Sequence, residues 1–250
     1  MIIVSAGLGT NSTAMLIGMH ERDIYPDAIL FADTGGERPH TYEHLRILNN
    51  WLGKVGFPLI TVVKAANKTL EEALLSNKSL PSPAYGGRKT CSQRFKIEPQ
   101  DTWLNNWPPA KKIWNKGQKI TKAVGFDADE PWRAKDYESK KFSNWYPLLE
   151  WDWGRDECIE TINRAGLPLP GKSSCFYCPN MKQAEIRELK AHYPELALRA
   201  IEMEQNANLT TIKGLGRDWS WEQLLEIGEL FEFPDRQDQT PCECYEGAAA

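Results

Sequence analysis

Short apolar runs alternate with stretches of helical spacing through the first half of the chain. Residues 2–4 form an apolar triplet suited to a buried strand, and residues 12–22 follow with helical periodicity. Residues 28–32 are a second apolar run. Residues 40–55 have helical spacing, with Leu45, Leu48, Trp51 and Leu52 on one side, and 59–63 read as a third strand. Strands and helices alternating over such short connections predict an α/β fold built on a doubly wound, mostly parallel sheet. Further on, 68–77 predicts a short helix, 79–89 a Pro- and Gly-rich loop, 95–107 a helix interrupted by Pro99, and 119–125 another strand. Residues 125–144 are highly charged and predict a mobile surface loop. The character changes at Trp145: Trp-rich turns, a helix over 154–164, a Gly- and Pro-rich loop to Pro179, a helical region over 182–206 broken at Pro194, and a last helix over 221–230. The expected organisation is an α/β domain over 1–144, a helical region carrying a Cys loop over 145–231, and a weakly ordered tail over 232–250. There is no internal repeat.

The polar residues gather where the apolar runs stop. Between the first strand and the first helix the chain reads Ser5-Ala6-Gly7-Leu8-Gly9-Thr10-Asn11-Ser12. The free N–H groups at a helix start point at whatever lies above them, and the helix dipole favours a negative charge there. Gly7 and Gly9 carry no Cβ, so the backbone can curl and approach a ligand closely. Ser5, Thr10, Asn11 and Ser12 add side-chain donors. The stretch reads either as a phosphate cradle or as an ordinary strand-to-helix turn with a polar cap. It is not the common P-loop, because no Lys follows the glycines, and the spacing is not Gly-x-Gly-x-x-Gly. After the second strand, Asp33-Thr34-Gly35 offers a carboxylate that either bonds a ribose or adenine amino group or caps its own turn. In open parallel sheets ligands sit beyond the carboxyl ends of the strands, where these two loops would meet.

Composition narrows the class only a little. The chain has 250 residues, 41% hydrophobic and 26% charged, with net charge −4, an ordinary balance that advertises no nucleic acid. Basic residues do cluster, at Arg88, Lys89, Arg94 and Lys96, then at Lys111, Lys112, Lys116, Lys119 and Lys122. They form either a solvated face or a rim that collects an anionic nucleotide or a nucleic acid. No run of about 18 apolar residues predicts a membrane span. The N-terminus enters a strand with no leader pattern, so a cytoplasmic location is expected. In that compartment the six Cys point to metal ligation or reactive thiols rather than disulfides. Cys175-Phe176-Tyr177-Cys178-Pro179 puts two thiols two residues apart on a tight turn, which can grip one metal, with Cys91 and Cys158 as the obvious third and fourth ligands. Four thiolates suit Zn²⁺ or a [4Fe–4S] cluster, and free or redox thiols are the alternative. The ten Trp read as packing or as base-stacking surfaces. His20, His40, His44 and His192 form no metal pattern, and no Gly-x-Ser-x-Gly marks a serine nucleophile.

Residues 7–12 resemble the pyrophosphate loop of the adenine-nucleotide alpha-hydrolase superfamily, Ser-Gly-Gly-x-Asp-Ser. Leu8 stands where the second Gly is usual, and Asn11 where Asp is usual. Joined with Phe31-Ala32-Asp33-Thr34-Gly35 and Glu37, the loop resembles the phosphoadenosine phosphosulfate (PAPS) reductase-like branch, of bacterial and phage type. Residues 88–99 are similar to that family's Cys-(Ser/Thr)-x-x-x-Lys-x-x-Pro segment, and 124–133 look like its strand-end Gly followed by an acidic residue and an Arg. The four pieces run in family order over residues 1–135.

This resemblance implies an adenine nucleotide, ATP or PAPS, held by Ser5, Gly7, Gly9, Thr10, Asn11, Ser12, Asp33, Thr34 and Gly35. Lys96 and Arg133 would neutralise charge building on phosphate or sulfate oxygens. It also implies a [4Fe–4S] cluster, with Zn the alternative, on Cys91, Cys158, Cys175 and Cys178, and Mg²⁺ with the nucleotide. Two enzyme versions follow. A pyrophosphatase would adenylylate a nucleic-acid or sulfur-carrier acceptor. A reductase would take sulfite from PAPS with a Cys nucleophile. The assimilatory reductases end in Glu-Cys-Gly-Leu-His, whereas this tail reads Pro241-Cys242-Glu243-Cys244. A reading of another class is a nucleotide-binding or DNA-modification accessory protein without turnover, which Asn11 would favour. A homo-oligomer is also expected among the partners, and a membrane is not.

Overall fold

The computed structural model describes residues 1–81, 90–135 and 139–227. Five parallel strands, β1 (Ile2–Ser5), β2 (Ala28–Ala32), β3 (Ile60–Val63), β4 (Ile120–Val124) and β5 (Phe142–Trp145), form one sheet in the order β3-β2-β1-β4-β5. The order reverses at β1, so β1 and β4 leave the sheet side by side at the switch point where α/β folds open a crevice. The interior strand β2 is buried along its whole length, as an Ala-Ile-Leu-Phe-Ala run with helices on both sides must be.

Eleven helical segments surround the sheet among the described residues: α1 (Thr10–Glu21), α2 (Pro39–Lys54), α3 (Leu70–Ser76), α4 (Thr90–Ser92), α5 (Glu98–Asn106), α6 (Pro108–Asn115), α7 (Pro147–Glu150), α8 (Arg155–Arg164), α9 (Gln183–His192), α10 (Pro194–Asn206) and α11 (Trp221–Ile227). Alternate strand residues serve opposite faces. Val4, Ile29, Phe31, Ile60 and Ala123 join α1, α2, α7 and α8 in a first core. Ile3, Ala28, Leu30 and Ile120 pack with Leu104 of α5 and Ala110 of α6 on the other side. The sheet is therefore doubly wound. Helix α1 is apolar nearly all round, with Ala14, Met15, Leu16, Ile17 and Met19 buried between the sheet and α8. Gly18 makes room for the Trp151 and Trp153 rings, since a Cβ there would lie 2.6 Å from Trp151.

A second core, built on α9, α10 and α11, takes in Leu70 and Leu74 of α3, Phe95, and the segment Cys175-Phe176-Tyr177. The buried carboxylate of Glu204 ties this unit together by accepting from the Trp221 and Leu215 amides.

Several expectations are revised. The charged stretch 125–144 carries a 3₁₀ turn (Pro131–Arg133) and β5, a strand whose Ser143 and Asn144 break any apolar run because it lies at the sheet edge. The expected boundary at 144 runs through β5, and Leu148, Cys158 and Ile162 belong to the first core. The helical run over 90–106 continues through Pro99 but changes register just before it, where the π turn Gln93–Ile97 passes into α5. The pair Arg88 and Lys89, the tail 232–250 and its Cys242 and Cys244 lie outside the described residues. No described helix is long and apolar enough to cross a membrane.

Candidate functional site

The turn from β1 into α1 sits at the switch point. Leu8 adopts φ +59°, the left-handed region that favours glycine, at the position where the loops it resembles carry Gly. Its side chain is buried in the first core, and that packing offsets a strain of about 1–2 kcal/mol. Gly9 caps α1, and its carbonyl accepts from the Thr13 amide (3.1 Å) and the Thr13 hydroxyl (2.9 Å). The first N–H groups of a helix have no partner inside it. Here they belong to Thr10, Asn11 and Ser12, which line a cleft of about 720 Å³ together with Ser5, Gly7 and Gly9. Gly125, just past β4, supports the turn from behind: a Cβ there would lie 3.2 Å from the Asn11 carbonyl and the Ser12 nitrogen.

Five cations line the same cleft, Lys96, Arg133, Arg155, Lys172 and Lys182, beside four carboxylates, Asp127, Asp129, Glu130 and Glu185. Lys96 is carried by the π turn, a geometry that shifts a side chain off the regular helical register. It is only 8% exposed, and its Nζ lies 3.7 Å from Glu37 Oε1. Arg133 donates through Nη1 to Glu130 (2.5 Å), and its guanidinium lies 4.3 Å above the Phe126 ring. Phe126 in turn stacks on Tyr146. The wall opposite the turn comes from the loop after α8, whose Ser173 hydroxyl donates to the Gly7 carbonyl. Lys172 pairs with Glu185 at 2.7 Å.

Asn11 has a local explanation. Its Nδ2 donates to Asp127 Oδ2 at 2.8 Å, and its Oδ1 accepts from Arg155 at 3.3 Å. Asp127 is buried, its Oδ1 has no hydrogen-bond partner among the described residues, and burial raises its pKa. An Asp at position 11 would set two carboxylates against each other; the amide bonds one and leaves the charge on Asp127.

The loop after β2 is built the other way. Asp33 accepts from the Gly35 amide (2.8 Å) and the Tyr42 hydroxyl (2.9 Å), and pairs with Lys64 at 2.9 Å. Burial and the Asp33 carboxylate push the Tyr42 pKa up. The Thr34 hydroxyl lies 3.1 Å from Cys175 Sγ, and its carbonyl accepts from Leu70. Gly35 has φ +80° with Thr69 against it. A single antiparallel bridge joins Glu37 to Cys175, and the Phe176 amide donates to Gly36. Asp33, Thr34 and Gly35 were expected at the nucleotide. They do not line the cleft, because the Cys loop and the start of α3 lie on top of them.

The four expected metal ligands are divided. Cys91, Cys175 and Cys178 share the second core, while Cys158 faces α1 and the sheet from α8 in the first. Burial, with Asp127 nearby, pushes the Cys158 thiol up to about 12. Burial raises Cys175 as well, reinforced by Glu37. Among the described residues no three His, Cys, Asp or Glu side chains are gathered as a metal group. Cys158 therefore lies in a different core from the other three, because α8 turns that thiol toward α1 and the sheet.

Gln100, which accepts from the Ser5 hydroxyl, and Arg155, Lys172, Asn180 and Lys182 of the cleft were missed in the sequence. Lys172 and Asn180 flank the Cys motif, which was the one available signal. Arg155 has none, because it reaches the cleft through the packing of α8 on α1. Compared with protein-family models and with curated proteins, the chain matches none.

Proposed function

We propose that the chain binds ATP or PAPS by its phosphate end and acts there, as the PAPS reductase-like resemblance implies. The observation that carries this reading is the convergence of the free amides at Thr10–Ser12 with five cationic side chains on one cleft at the sheet's switch point. Its best-supported form is nucleotidyl transfer. An acceptor oxygen or sulfur attacks the α-phosphorus, the bond to the bridging oxygen breaks, and pyrophosphate leaves with its added charge. The amides at the start of α1 and Lys96 hold that charge, and Lys96 is desolvated enough to do so strongly. Arg133, kept flat against Phe126, faces the same anion. Mg²⁺ bound with the nucleotide would supply further neutralisation, with Asp127 as the carboxylate beside it. The reductive form needs an exposed thiol nucleophile; Cys158 and Cys175 are buried, and the tail thiols Cys242 and Cys244 lie outside the described residues.

A second reading, binding without turnover, is favoured by Asn11, which takes a carboxylate away from the helix start. Calorimetry with ATP, PAPS and AMP tests the common premise: ATP and PAPS bind, and AMP binds more weakly for want of a phosphate tail. Absence of heat, or AMP binding as tightly as ATP, contradicts it. Release of pyrophosphate or sulfite then separates turnover from binding alone.

A further inference from the structure

We infer that Trp132 is the stacking platform for the purine base of the nucleotide whose phosphates the β1–α1 turn receives. The inference rests on the proposed nucleotide reading and adds the group that recognises the base.

Trp132 is 61% exposed, whereas the other tryptophans are buried or half-buried. Its indole is the most exposed aromatic face among the described residues. It lines the same cleft as Gly9, Thr10 and Lys96. Its position is fixed from both sides. Pro131 before it restricts the backbone, and the turn is closed by Arg133 N to Glu130 O and Ala134 N to Pro131 O, each 3.1 Å. Arg133 after it is anchored on Glu130 and Phe126. The indole makes no ring contact or hydrogen bond with the described residues. A rigidly presented aromatic face, in a cleft whose other lining is largely charged and polar, fits a planar heterocycle that carries an anionic tail.

The experiment compares ATP with inorganic tripolyphosphate, by calorimetry, on the parent protein, Trp132→Ala and Trp132→Phe. The parent binds ATP more tightly than tripolyphosphate. Trp132→Ala lowers ATP affinity by about tenfold, the scale of one lost base stack, and leaves tripolyphosphate affinity unchanged. Trp132→Phe keeps most of the ATP affinity. Equal ATP affinity in the parent and in Trp132→Ala overturns the inference while the phosphate reading stands. So does oligonucleotide binding that needs Trp132 when ATP binding does not, since the base would then belong to an acceptor. If neither ATP nor tripolyphosphate binds the parent, the nucleotide reading fails and the inference falls with it.

Discussion

The loops after β1 and β2 end neighbouring parallel strands and carry much the same residue types, yet they do opposite jobs. The β1 loop turns its amides outward, to a cleft lined with cations. The β2 loop turns its polar groups inward, onto one another and onto Cys175. The difference lies in what lands on each. The loop after α8 meets the β1 turn at Gly7 and Gly9 through Ser173 and forms a wall of the cleft, so Gly9 to Ser12 still line that cleft. The Cys loop packs against the β2 turn at Thr34, Gly36 and Glu37 and makes it a joint between the two cores. Polar residues at a strand end therefore mark a ligand site only where no later segment claims them.

Lys96 belongs to both regions, and its loss has the largest expected effect. Lys96→Met leaves the fully buried Glu37 carboxylate without its cationic partner, which costs about 3–5 kcal/mol in denaturant unfolding and also weakens ATP binding. Adding Glu37→Gln restores much of the stability but not the affinity. Equal recovery of both would make Lys96 a structural residue only. Next, Gly125→Ala pushes on the Asn11 and Ser12 backbone, at a cost of about 1 kcal/mol, the low end of the overpacking range. Calorimetry should show ATP affinity falling by about tenfold, the equivalent of 1.4 kcal/mol.

Asp33→Asn sharpens the contrast from the other side. It weakens the hydrogen bonds inside the β2 joint and lowers stability by about 1 kcal/mol, with ATP affinity unchanged. A large affinity loss would return Asp33 to the ligand. The smallest effect is Asp127→Asn. Burial raises the Asp127 pKa above its ordinary 3.8, so the stability lent by its protonated form is present at low pH and is lost as pH rises through the raised value. Asp127→Asn should melt above the parent at pH 7, and that advantage should disappear as pH falls toward 4. A constant difference across pH would show that the carboxylate is not strained by burial.

The sequence made β1 to β3 and the helices α1 and α2 plain, because the strands are mostly apolar and the helices have buried stripes, whereas α6 was not read from it. Strand β5 was hidden, since an edge strand reading Phe-Ser-Asn-Trp buries little. The β1 turn was legible because glycines and hydroxyls gather there. The closure of the β2 turn was not, because it depends on a bridge between Glu37 and Cys175, far apart in the chain. Cys158 misled for the same reason: its spacing from Cys175 suits a metal site, and only the packing of α8 on α1 shows which core receives it.

Hydrogen exchange of the backbone amides, with and without ATP, separates the two loops most directly. The account predicts slowed exchange at the amides of residues 9–12 and no change at 33–37. Protection confined to 33–37, or none at either loop, would contradict it.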